Sequence, residues 1–187
     1  MSKFRNISPQ RTCIKIYKNY RDFKHYLADD YNKRCGYTDC PDFWFGGKNN
    51  FHIDHFKPFS KNPQLATEYS NLVYCCSYVN ILKSDDEGDY IDPCDVDFND
   101  HFERDKDGSI LAKNTSKEAI YMHSKLNLGL VRYKLIWKLE EMHQKKIKLQ
   151  NAIDNPKNGK IRGSLIEIYY DLDKEFTLYL NYLKVNQ

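Results

Sequence analysis

The sequence lacks the features that would place it at once among membrane, repeat or highly basic proteins. No hydrophobic run is long enough for a signal peptide or a membrane span, and the mean hydropathy is −0.77. Internal repeats and low-complexity segments are absent. The formal net charge is only +3, which permits nucleic-acid binding without indicating it. We therefore expect a soluble, cytoplasmic chain without a membrane partner.

The chain has 6 cysteines among its 187 residues. They are Cys13, Cys35, Cys40, Cys75, Cys76 and Cys94. In a reducing cytoplasm thiols stay free, so we expect no disulfide. At this length the chain can form one domain with a good core and an appendage.

The residues with most chemical potential begin in the segment Phe51-His52-Ile53-Asp54-His55. A histidine suits general-base catalysis because it titrates near neutral pH. A carboxylate suits a hard divalent cation. Adjacent strand residues point to opposite faces, so Asp54 and His55 can share a site only where the strand ends. Pro58 predicts that end because proline cannot donate to a ladder.

Two asparagines follow in elements that continue this pattern. Asn71 precedes the apolar run Leu72-Val73-Tyr74, which predicts a second short strand. Asn80 lies in the run 77–83, which predicts one or two helical turns. Singly, such residues are typical of turns and solvated helix faces. Their order along a predicted strand, loop, strand and helix is what favours a catalytic interpretation.

This arrangement resembles the core of the HNH nucleases, a family with a ββα-metal fold. The resemblance implies that Asp54 and Asn80 hold one Mg²⁺ or Mn²⁺ ion and that His55 is the general base. It also implies that Asn71 fixes the loop or the ring orientation of His55.

The same resemblance gives less specific roles to three neighbours. Lys57 and Lys83 would contact the phosphate backbone of DNA. His52 shares a strand face with Asp54; it is either a further metal ligand or, the interpretation we favour, a packed histidine.

Many HNH proteins also hold zinc through two Cys-x-x-Cys pairs. Here Thr38 and Val79 stand where the second cysteine of each pair would be. Cys40 and Cys75 are possible substitutes beside Cys35 and Cys76, but adjacent cysteines rarely both reach one tetrahedral ion. We favour a degenerate knuckle without zinc.

The remaining segments predict an α+β chain with helices around the nuclease core. Residues 11–17 are expected to form a short strand, and 22–32 a bracing helix. Acidic residues are concentrated in the segment 85–107. This segment could be a calcium-like loop, a face for a basic partner or a solvated connector, and we favour the connector. A Thr115–Glu118 capping box predicts a helix to 127–128. Helices from about 130 to 153 and from 161 onward predict a hairpin.

We accordingly expect a nuclease domain over 1–114, with its core at about 33–86. Residues 115–187 would form a C-terminal helical region packed on that core.

Further segments resemble one HNH subfamily, the anti-phage nucleases of Septu and retron-associated systems. They are Asp92-Pro93, His101-Phe102, Asp107-Gly108-Ser109-Ile110, Ala119-Ile120, Leu126-Asn127-Leu128 and Arg132. With the turn Cys35-Gly36-Tyr37 and the segment His55-Phe56-Lys57-Pro58, the resemblance spans about 20–137. It implies an SMC/ABC-type ATPase partner that restrains or directs cleavage of phage or cellular DNA. A stand-alone restriction or mobile-element endonuclease is the alternative enzyme. A catalytically silent nucleic-acid-binding or partner-binding module is the alternative from another class.

Overall fold

The computed structural model describes residues 1–185 and divides the chain into two compact units. The first comprises Met1–Leu130, and the second begins at Val131. The boundary expected after residue 114 therefore differs from the observed one by 16 residues, and residues 115–130 belong to the first unit. The mixture of helices and short strands confirms an α+β chain. In the part of the chain that the structure describes, no helix is long and apolar enough to cross a membrane.

The first unit contains two small antiparallel sheets. Strands β1 (Ser2–Lys3), β4 (Phe102–Arg104) and β5 (Ile110–Ala112) form one sheet in the order β1-β4-β5. Strands β2 (Phe51–His55) and β3 (Leu72–Cys76) form the other, with Asp54 opposite Val73 and His55 opposite Leu72. Every residue of β3 is buried, so this strand is covered on both faces.

Helix α2 (Ser77–Lys83) follows β3 directly. The order of strand, loop, strand and helix is thus the predicted one. Helix α1 (Lys24–Asp30), preceded by the 3₁₀ turn Tyr20–Phe23, lies against β3 and supplies the predicted brace. The strand predicted at 11–17 is wrong, because these residues join neither sheet.

The acidic segment 85–107 is more ordered than a connector. It includes the short helix α3 (Phe98–His101) and strand β4. Asp92 binds Arg11 with a nitrogen–oxygen distance of 2.7 Å, and Asp86 accepts hydrogen bonds from Tyr90 and Tyr121. Several of its carboxylates therefore hold the fold together.

Helix α4 (Lys117–Lys125) begins one residue later than predicted. Its N-cap is Ser116, whose hydroxyl accepts from the backbone N–H of Ala119 at 3.1 Å. The expected cap Thr115 is exposed. The helix ends before 127–128, and Asn127 takes the left-handed conformation, with φ 49°, that often follows a helix.

The second unit is the predicted helical hairpin. Helices α5 (Val131–Asp154) and α6 (Arg162–Val185) are joined through the 3₁₀ segment Pro156–Ile161. Lys146 pairs with Asp173, and Lys138 lies over the ring of Tyr179. These contacts run in opposite directions along the two helices, as an antiparallel pair requires. The expectation that the helical region packs on the nuclease core stays a prediction.

Candidate active site

A pocket of about 270 Å³ opens beside the end of β2 and the start of the following loop. Its lining includes Asp54, His55 and Asn80, which come from β2 and α2. Three of the four predicted catalytic residues thus meet at one opening, and Asn71 lies outside its lining. Because β2 ends at His55, the alternation of a regular strand no longer separates the two adjacent side chains.

His55 is held in one tautomer by its neighbour across the loop. Its Nε2 lies 2.9 Å from the carbonyl oxygen of Ala66. A carbonyl can only accept, so Nε2 carries the proton and Nδ1 of the neutral ring keeps its lone pair. Tyr20 and Phe59 flank the ring, with centroid distances of 4.7 and 5.1 Å. This arrangement leaves Nδ1 of the neutral ring able to accept a proton.

Asn71 positions the loop rather than the imidazole itself. Its Oδ1 accepts from the backbone N–H of Lys57 at 2.8 Å, and its Nδ2 donates to the carbonyls of Lys57 at 3.0 Å and Leu65 at 3.3 Å. Leu65 immediately precedes Ala66, whose carbonyl holds His55. Of the two predicted roles for Asn71, the contacts support fixing the loop.

Asp54 is almost completely buried, and its carboxylate accepts hydrogen bonds from two side chains. Only 4% of the residue is exposed. The hydroxyl of Tyr37 donates to Oδ2 at 2.7 Å, and Nζ of Lys83 lies 3.1 Å from the same atom. Burial raises the pKa of Asp54, while Lys83 and Tyr37 oppose that rise.

The predicted contact of Lys83 with DNA has to be corrected. Its side chain is fully buried, and Nζ donates to the carbonyl of His55 at 2.8 Å as well as binding Asp54. A lysine without solvent access cannot neutralise a phosphate on the surface. Lys57 is exposed, so its predicted contact with DNA stays a prediction.

Asn80 and His52 lie side by side at the edge of the site. Nδ2 of Asn80 is 3.3 Å from Nδ1 of His52. When the amide donates to that nitrogen, the Oδ1 of Asn80 is the atom left to bind a cation. His52 is exposed and does not line the pocket. The favoured interpretation of a packed histidine is therefore wrong, and a metal-binding role stays a prediction.

Asp54 and Asn80 fit a divalent cation by the chemistry of their oxygen atoms. Mg²⁺ commonly takes one or two protein oxygens and completes its shell with water and substrate phosphates. Within the described residues, no cluster of three His, Cys, Asp or Glu side chains could hold a metal. The positive charge of Lys83 on the same carboxylate also disfavours binding by the protein alone. These residues therefore suit a cation that binds together with a phosphate.

The predicted zinc residues lie close to the site and are all buried. The sulfurs of Cys35 and Cys76 are 3.9 Å apart. Burial would raise the pKa of the Cys35 thiol, but hydrogen bonds with Cys76 and Thr38 bring it down to about 6. Thr38 thus contacts Cys35 in the position where a zinc knuckle would carry another cysteine.

Three contributors to the site were not identified from the sequence. Tyr37 binds Asp54, Tyr20 contacts His55, and the carbonyl of Ala66 sets the tautomer. Tyr37 stands in the turn Cys35-Gly36-Tyr37, whose resemblance to a zinc knuckle predicts a role only for the cysteine. A backbone carbonyl has no signal in the sequence at all.

The chain matches no protein-family model, no curated protein and no solved structure.

Proposed function

We propose that the protein is a metal-dependent HNH endonuclease that hydrolyses DNA. The observation that carries the proposal is the imidazole of His55, held by the Ala66 carbonyl in a pocket that Asp54 and Asn80 also line. A base with a fixed tautomer beside two oxygen ligands is the equipment that phosphodiester hydrolysis needs.

In this mechanism the Nδ1 atom of His55 takes the proton from the attacking water. The Ala66 carbonyl keeps the ring oriented, and Asn71 keeps the loop that carries Ala66 in place. Asp54 and Asn80 would hold a Mg²⁺ or Mn²⁺ ion, which supplies a Lewis acid for the phosphate and the leaving oxygen. Lys83 and Tyr37 fix the carboxylate of Asp54.

We further propose that the nuclease is the effector of an anti-phage system and works with an SMC/ABC-type ATPase. The support is the resemblance of the segments between about 20 and 137, together with the retained set Asp54, His55, Asn71 and Asn80. A stand-alone restriction or mobile-element enzyme would have the same site. A silent binding module would be free to lose one of these four residues.

Plasmid cleavage by the wild type, His55→Ala and His143→Ala tests the enzymatic proposal. Loss of a general base typically lowers a rate by about 10²–10⁴-fold, so His55→Ala should be nearly inactive. DNA affinity should persist, because it depends mainly on contacts of lysine and arginine with phosphates. His143 is exposed on α5. The variant His143→Ala is therefore the matched control and should cleave DNA like wild type.

The same assay tests whether cleavage requires a divalent cation. EDTA should abolish cleavage, and Mg²⁺ or Mn²⁺ should restore it. Undiminished cleavage in EDTA by a metal-free preparation contradicts the metal-dependent mechanism. If His55→Ala instead unfolds the protein, as a thermal melt would show, the histidine is structural. If His55→Ala protects cells from phage as well as wild type does, the defensive role of the nuclease fails.

A further inference from the structure

Residues 13–17 expose two isoleucines almost completely although they are anchored on both sides. Ile14 is 95% exposed and Ile16 is 96% exposed. On the N-terminal side, the backbone N–H of Thr12 donates to Asp30 at 2.7 Å. On the C-terminal side, the ring of Tyr17 packs edge-on against Phe23 at 4.9 Å. The exposed side chains therefore belong to a segment whose ends are held.

Ile14, Lys15 and Ile16 are all exposed, and the residues on either side of them are partly covered. Cys13 and Tyr17 are partly covered, and Lys15 between them lies over the ring of Tyr26 at 5.1 Å. In an extended chain alternate side chains share a face, so an extended segment would place Ile14 and Ile16 together on the face opposite Lys15.

The backbone of this segment also lacks a partner strand. Among residues 1–185, the sheets and the other backbone hydrogen bonds leave out the N–H and C=O groups of 13–17. The β-branched and aromatic residues Ile14, Ile16 and Tyr17 favour a strand. A chain with strand-forming residues, held ends and unpaired backbone groups can accept a strand from elsewhere.

We propose that residues 13–17 are a docking strand for an acidic β-edge of a protein partner. The added strand would pair with the backbone, and apolar side chains of the partner would cover Ile14 and Ile16. Residues 11–18 contain no acid. Arg11 is neutralised by Asp92, whereas Lys15 and Lys18 are exposed, so an acidic edge complements these two lysines. A second copy is disfavoured, because pairing Ile14 with Ile16 of that copy would place Lys15 opposite Lys15.

The position of this docking strand connects it with the candidate active site. Tyr20 follows Tyr17 by three residues, lines the pocket and contacts the ring of His55 at 4.7 Å. A partner bound at 13–17 would thus adjoin the side chain that flanks the proposed base. This regulatory consequence rests on the proposed nuclease function, whereas docking itself does not.

The test is amide hydrogen exchange of the full chain with a synthetic seven-residue peptide in which valine and glutamate alternate. Saturating peptide should slow exchange at 13–17 by about threefold to tenfold, the value of one net hydrogen bond. A matched peptide with lysine in place of glutamate should give no protection. Absence of protection with the acidic peptide at millimolar concentration overturns the proposal.

Paired variants provide the structural control. Ile14→Ser with Ile16→Ser should weaken binding of the acidic peptide at least about tenfold and leave the melting temperature unchanged. Ile166→Ser with Ile168→Ser, on exposed positions of α6, should bind like wild type. Equal binding by both double variants overturns the proposal.

Two other results would also overturn it. One is a concentration-dependent dimer, seen in sedimentation, that Ile14→Ser with Ile16→Ser abolishes. The other is binding of the segment to anionic lipid vesicles with no binding of the acidic peptide. None of these experiments measures DNA cleavage. A protein that binds the acidic peptide but does not cleave DNA would therefore support docking and contradict only the proposed nuclease function.

Discussion

Lys83 joins helix α2 to the end of strand β2 through a buried ion pair. It binds Asp54 at 3.1 Å and the carbonyl of His55 at 2.8 Å, with no exposed surface. Removing one partner of such a pair leaves an uncompensated charge in the interior. The consequence can be measured as a change in the free energy of unfolding.

Lys83→Met should lower the free energy of unfolding by about 3–5 kcal/mol, as measured by urea denaturation. The double variant Lys83→Met with Asp54→Asn should recover most of this loss, because no lone charge remains. Lys57→Met, at an exposed position, should change stability by less than about 0.5 kcal/mol. A single Lys83 variant as stable as wild type would show that the pair contributes nothing.

Asn71→Ala removes the three hydrogen bonds that hold the loop to Lys57 and Leu65. Cleavage should fall by about 10–100-fold, as for other groups that orient a functional side chain. Affinity for Mn²⁺ in the presence of DNA should be unchanged, because Asn71 is not among the proposed ligands. Asn62→Ala, in the same loop, is the control and should retain activity. Loss of Mn²⁺ binding in Asn71→Ala would refute the positioning role.

At the level of elements, helix α4 shows how a single hydroxyl selects the start of a helix. Ser116 caps Ala119 and also bonds to Nδ1 of His101 at 2.7 Å. Ser116→Ala should cost about 0.5–2 kcal/mol of stability, read from thermal or urea unfolding. Thr115→Ala, at the cap predicted from the sequence, should be near neutral. A larger loss of stability for Thr115→Ala than for Ser116→Ala would show that Thr115 is the cap.

The turn that contains Cys35 and Cys40, together with the end of β3 and the start of α2, is predicted to bind no zinc. Because Thr38 and Val79 occupy the positions of two would-be ligands, we expect well under one zinc per chain by elemental analysis. Chelation should barely shift the melting temperature, since folding does not depend on that metal. Stoichiometric zinc held by Cys35, Cys40, Cys75 or Cys76 would contradict this prediction.

For the whole molecule, the division after Leu130 predicts that the first unit folds by itself. Every residue that lines the candidate pocket lies between Tyr20 and Asp85, and a compact unit with its own core can fold alone. A fragment of residues 1–130 should melt cooperatively by circular dichroism and show dispersed amide signals by NMR. The matched fragment 1–114, cut at the boundary expected from the sequence, should be less stable because it lacks α4. A disordered 1–130 fragment would show that folding requires the hairpin.

Local patterns determined the kind and order of the main elements. The segment 51–55 before Pro58, the apolar run after Asn71 and the run 77–83 predicted the β2-β3-α2 order. The helices expected in the last third predicted the hairpin of α5 and α6. These predictions succeeded because the residues in each pattern are near neighbours in the chain. The same patterns brought forward Asp54, His55 and Asn80, which do line one pocket.

Only the tertiary structure decided which partner each side chain meets. The burial of Lys83 depends on residues 29 positions away, and the tautomer of His55 depends on a carbonyl across a loop. The segment 11–17 has strand-forming residues, yet strand pairing requires a neighbour that the fold does not supply to it. Composition and periodicity describe the preferences of a segment. Burial, hydrogen-bond partners and charge neutralisation arise only when distant segments come together.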